Sequence, residues 1–101
     1  ESLVKSNQLK LAFKKREVET EIHMELKELK LLDNMVHSAE ENIKRSKRFL
    51  KLISDEYRRG VKTSGDMLLA TEKLVDSEIR KMKILRDLQI AKAHIMVKLG
   101  Q

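Results

Sequence analysis

Tyr57-Arg-Arg-Gly60-Val-Lys-Thr63-Ser-Gly65-Asp66 holds two of the chain's three glycines and separates two long segments of helical periodicity. It reads as the tip of a helical hairpin. Arg58 and Arg59 bring positive charge to the negative end of a helix dipole, and Gly60 supplies the residue that takes a left-handed conformation just past a helix end. Thr63-Ser-Gly-Asp66 then fits a capping box, in which the hydroxyl accepts from a free backbone N–H and the carboxylate reaches back. Tyr57, Gly60, Thr63 and Asp66 are thus the expected turn and capping residues.

Gly60 to Gly65 also spells the start of the phosphate-cradling pattern G-x-x-x-x-G-K-[ST]. The match fails at Asp66, which stands where lysine is required and would repel a phosphate. The preceding segment is moreover a long helix, not the strand that motif needs.

Composition agrees with helix throughout. Of 101 residues 38% are charged and 41% hydrophobic, with no proline and three aromatic residues, Phe13, Phe49 and Tyr57. That balance suits thin, solvent-washed helices. Without cysteine there is neither a disulfide framework nor a thiolate metal site. No apolar run approaches the ~20 residues of a membrane-spanning helix, and none shows the ~10-residue alternation of a barrel strand, so this segment is not expected to cross a membrane. The start at Glu1, without a signal-like segment, leads us to expect a piece of a longer parent.

The net charge of +6 is uneven. Residues 1–43 carry seven basic and nine acidic groups, residues 44–62 eight and two, and residues 63–101 seven and five. The excess, a basic patch of Lys44, Arg45, Lys47, Arg48, Lys51, Arg58, Arg59 and Lys62, lies beside the tip. It suits an acidic protein surface, anionic lipid or nucleic acid, and equally a solvated helix face.

Ile22, Leu29, Val36, Ile43, Leu50 and Tyr57 form one heptad row, and Val18, Glu25, Leu32, Ala39, Ser46 and Ile53 a second. Together they predict a coiled-coil seam over about five heptads. After the tip, Met67, Ala70, Leu74, Leu85, Leu88, Ile95 and Leu99 are expected to form the main stripe of the second helix, widened by Val75, Ile79, Met82, Ile90, Ala93 and Val97. Pairs at four-residue spacing, Glu40–Lys44, Glu41–Arg45 and Asp76–Arg80, have the favoured acid-first order. Gly100 reads as a stop signal. The expected fold is all-α: one antiparallel two-helix coiled-coil hairpin over 1–101, with helices at about 5–59 and 64–99 and a tip at 60–64.

Folding at the tip sets Tyr57 near Met67 and Leu99 near Glu25 at a common rise of ~1.5 Å per residue. Residues 1–24 then overhang, and both helices keep second apolar faces. Completion of a helical bundle or barrel by oligomerisation is the expected outcome.

The chemistry of an enzyme is not legible. His23, His37 and His94 lack metal-binding spacing, and no H-E-x-x-H or G-x-S-x-G occurs. Adjacent His37 and Ser38 point apart on a helix and cannot form a nucleophile–base pair. We expect no catalytic residue, no metal and no cofactor.

Tyr57-x-x-Gly60-x-x-Thr63-x-x-Asp66-x-x-x-Ala70-x-x-x-Leu74, preceded by Ala39-Glu40-Glu41-Asn42 and closed by Leu99-Gly100, resembles the recurring elements of TolC-type outer-membrane efflux and secretion channels. The similarity spans about residues 18–101. It implies a periplasmic helical hairpin within a trimeric channel whose tunnel continues as a membrane β-barrel. It also implies that the tip, here Gly60, Val61, Lys62 and Thr63, docks a periplasmic adaptor protein that links the channel to an inner-membrane pump. The competing readings are a self-contained coiled-coil interaction module, for instance in the cytoplasm, and a nucleic-acid binder using the basic patch. The last ranks lowest, because aromatic interleaving is poor and no recognition motif is present.

Overall fold

The structure is a computed structural model that describes residues 2–100. Two helices, α1 (Ser2–Arg58) and α2 (Ser64–Gly100), fold against each other as a hairpin. The observed ends differ from the expected ones by up to three residues. Gly100 is the last described residue of α2, and among the described residues Gly60 alone has a positive φ.

The molecule measures 87 × 17 × 15 Å. Its long axis is the length of α1 alone, since a 57-residue helix reaches about 86 Å at ~1.5 Å per residue. With only 37 residues, α2 leaves about 30 Å of α1 uncovered. Leu3, Val4, Leu9, Leu11 and Phe13 on that overhang are all exposed.

The seam of α1 follows the two heptad rows from Ile22 to Ile53. Ala39 and Ile53 are buried, while Ile22, Glu25, Leu29, Leu32, Val36, Ile43, Ser46 and Leu50 are half-buried. The rows lose cover at both ends. Val18 lies beyond the reach of α2, and Tyr57 flanks the open tip; both are exposed.

The seam of α2 differs from the expected stripe. Ala70, Ile84, Leu88 and Ile95 are buried, and Met67, Leu74, Ser77, Lys81, Ala91 and Lys98 are half-buried. These positions alternate by three and four residues without a break, as a coiled coil requires. Leu85 and Leu99 stand off this line and are exposed. The expected stripe took those two leucines in place of Ser77, Lys81 and Lys98, and it also passed over buried Ile84 and half-buried Ala91. Packing geometry decided otherwise, because lysine can lay its alkyl stem along the seam and keep its ammonium outside.

Contacts across the seam keep one register. Lys98 meets Glu25, Lys81 meets Glu40 at 3.4 Å, and the Lys73 ammonium lies 5.0 Å from the centroid of the Phe49 ring. None of the expected surface pairs forms among the described residues. Glu40 turns to Lys81 across the seam, Glu41 pairs with Lys44 at 3.5 Å, and Arg45 donates to Asn42 Oδ1 at 3.0 Å. Among the described residues Asp76 and Arg80 form no ion pair.

Candidate functional site

The tip is built from backbone hydrogen bonds. Gly60 adopts φ 77°, its N–H donates to the Tyr57 carbonyl at 3.0 Å, and the Val61 N–H reaches back to the Glu56 carbonyl at 2.8 Å. This nested pair is the Schellman closure, which satisfies carbonyls left open at the end of α1. A β-carbon on Gly60 would meet nothing within 4 Å, so the need for glycine there comes from φ alone.

Three residues later α2 is capped reciprocally. The Thr63 N–H donates to Asp66 Oδ2 at 2.9 Å, and the Asp66 N–H donates to Thr63 Oγ1 at 3.2 Å. The Thr63 hydroxyl also donates to Asp66 Oδ2, at 3.0 Å. The backbone bond from Thr63, then its hydroxyl, hold the Asp66 carboxyl below the ordinary carboxylate value; nearby Lys62 adds to this and partial desolvation opposes it.

Between the two caps the side chains differ. Val61 is 68% exposed. Lys62 is half-buried and folds toward Glu56 Oε2 at 4.0 Å. At that length even a half-buried pair contributes little stability. Thr63 and Gly60 are exposed as well. The four tip residues therefore share one end of the molecule, with Val61 as its prominent apolar group.

The patch residues Lys44, Arg45, Lys47, Arg48, Lys51, Arg58 and Arg59 are all exposed. Lys44, Arg48, Lys51 and Arg58 lie in one row on the side of α1 turned away from α2. Phe49, the aromatic residue within the patch, sits under the Lys73 ammonium.

At the far end of the hairpin the structure reveals a clasp that composition and periodicity did not single out. Lys98 Nζ donates to Glu25 Oε1 at 2.6 Å and to Glu21 Oε2 at 3.1 Å. The hydrogen bond to Glu25, then that to Glu21, hold Lys98 above the ordinary lysine value against partial desolvation, with both carboxylate charges assisting. The other oxygen of Glu25 is buried and has no hydrogen-bond partner. Extending the three-four alternation from Met67, Ala70 and Leu74 would have placed Lys98 on the seam, and so would have revealed the clasp. A shallow groove beside it is lined by Glu25, Glu28, Leu32, Asp87, Ile90, Ala91 and His94. No group of three potential ligands close enough to hold a metal ion occurs among the described residues, and His23, His37 and His94 are exposed.

The remaining feature is the back of α2. Leu68, Leu69, Val75, Ile79, Met82, Ile90, Met96 and Val97 are exposed on the side turned away from α1. At ~100° per residue they form a second apolar face opposite the seam, interrupted there by Glu72, Asp76, Lys83, Arg86 and Gln89. Among the described residues no helix is long and apolar enough to cross a membrane. No family profile, curated protein sequence or solved structure matches this chain.

Proposed function

We propose that this chain is the periplasmic helical hairpin of a TolC-like outer-membrane channel for efflux or type I secretion, and that Gly60, Val61, Lys62 and Thr63 dock a periplasmic adaptor. The observation that carries this reading is that α2 has apolar faces on opposite sides. A helix in a solitary hairpin needs one such face. A helix inside a closed wall has a neighbour on each side and needs two. In the assembled channel, further helices cover the back of α2 and the overhang of α1, and the parent is a trimer coupled through its adaptor to an inner-membrane pump.

Docking rests on Val61. The Schellman closure and the Thr63–Asp66 cap account for Gly60, Thr63 and Asp66, but neither requires an exposed valine. Lys62 adds charge from a position partly occupied with Glu56. Replacing Val61 by Asp and Lys62 by Glu in the full-length channel is expected to leave helicity unchanged while weakening adaptor crosslinking and export. Normal crosslinking and export in that variant would reduce the tip to a turn.

A self-contained coiled-coil interaction module is the second reading, favoured by the Lys98 clasp, which gives the hairpin a register contact of its own at the base. The parent reading frame separates the two: a signal peptide and alternating strands of ~10 residues belong to a channel.

A further inference from the structure

The back of α1 differs from the back of α2. From Lys44 to Arg58 the row directly opposite the seam reads Lys44, Arg48, Lys51, Asp55, Arg58, all exposed and none apolar, with Arg45 and Arg59 beside it. We infer that this row is a docking strip for an acidic α-helix of a partner protein. The inference does not depend on the channel reading, since a self-contained module would carry the same strip.

Three observations select that partner. The charges recur every three or four residues, about 5–6 Å apart, over about 21 Å of helix. Carboxylates at the same spacing on a second helix match them rung for rung, whereas phosphates follow each strand of duplex DNA every ~3.4 Å. Asp55 interrupts the row. One lysine on a partner helix answers it, while a continuous phosphate backbone meets repulsion there. Binding of single strands would also call for stacking, and Phe49 is engaged by Lys73 instead. Anionic lipid fits less well, because Leu52, 51% exposed between Arg45 and Arg59, is the one apolar residue along the strip, and a surface helix that inserts into lipid needs a broad apolar face.

The patch is also little neutralised from within. Glu41 holds Lys44 at 3.5 Å with the Lys44 side chain 64% exposed, and Glu56 is turned toward Lys62. Arg48, Lys51 and Arg58 form no ion pair among the described residues.

The test uses the chain as it stands and a designed helical peptide of roughly 20 residues, long enough to hold helix. The peptide carries Glu at alternating three- and four-residue spacing and one Lys opposite Asp55. Binding is read by fluorescence anisotropy at low salt, beside a Gln version of the peptide, single-stranded DNA of similar length and phosphatidylserine vesicles. R48E/K51E is expected to weaken peptide binding by about tenfold. K83E/K92E changes the net charge equally on exposed positions of α2 and is expected to stay within about twofold of the unmodified chain. Circular dichroism verifies that both variants keep their helicity. Equal loss in the two variants, equal binding of the Gln peptide, or tighter binding of DNA or vesicles than of the peptide would each overturn the inference.

Discussion

Lys98 Nζ lies 2.6 Å from Glu25 Oε1, tying the last turn of α2 to a seam position 73 residues earlier in the chain. A carboxylate inside an apolar seam is costly, and here one of its oxygens has no partner. Its return is positional. Sliding α2 by one heptad would take Lys98 away from both Glu25 and Glu21, so the clasp penalises the slipped register, the use for which seam polar residues are best attested.

Charge exchange tests that role. Glu25→Lys is expected to lower the melting temperature by setting two ammonium groups against each other, and Glu25→Lys combined with Lys98→Glu should recover most of the loss. The pH dependence has a definite sign. Because Lys98 is raised above its ordinary value of 10.5, its contribution is fully present below 10.5 and disappears as pH rises through the folded-state value. Thermal melts across the alkaline range should show Lys98→Met losing that limb. Identical alkaline profiles would remove the clasp from the account of stability.

The cap of α2 answers to acid. Asp66 is lowered from its ordinary value of 3.8, so its contribution is fully present above 3.8 and is lost as pH falls through the folded-state value. Asp66→Asn should flatten this part of the acid-unfolding curve. Thr63→Ala, which removes the N-cap hydroxyl, is expected to cost about 1 kcal/mol in urea unfolding.

The two tip glycines should respond in opposite directions. Gly60 needs its left-handed backbone, so Gly60→Ala is expected to destabilise by ~1–2 kcal/mol although the space around it is open. Gly65 lies in the first turn of α2, where an added β-carbon meets Thr63 Oγ1 at an ordinary 3.6 Å. Gly65→Ala is expected to stabilise by about 0.5–1 kcal/mol. Chemical denaturation of both variants, with opposite signs of the midpoint shift, is the check.

Local rules made the tip and the α1 seam legible. Gly60, Thr63 and Asp66 act within a few residues of one another, and the rows from Ile22 to Ile53 repeat often enough to fix their face. The α2 seam was harder to read. Ser77, Lys81 and Lys98 are polar residues at packing positions, while Leu85 and Leu99 are apolar residues off them, so hydrophobicity and periodicity disagreed and geometry prevailed. The clasp and the Lys81–Glu40 bridge join residues far apart in sequence and depend on register, which no single segment contains. At the tip, the turn was legible, but the fold of Lys62 onto Glu56 follows from where the chain goes after Gly60.

We propose that the back of α2 is a second packing face and that the hairpin belongs to a larger helical assembly. Ala70 marks the seam side, with 0% exposure, and Met82 marks the back, with 68%. Ala70→Leu should therefore destabilise the hairpin by ~1–3 kcal/mol through overpacking. The triple variant Val75→Ser, Met82→Ser, Ile90→Ser should keep helicity and lose association. Sedimentation equilibrium across the micromolar range is the most direct measurement. The unmodified chain is expected to self-associate, and the triple variant to shift toward monomer. A well-folded monomer at all these concentrations, or unchanged association in the variant, would contradict the proposal.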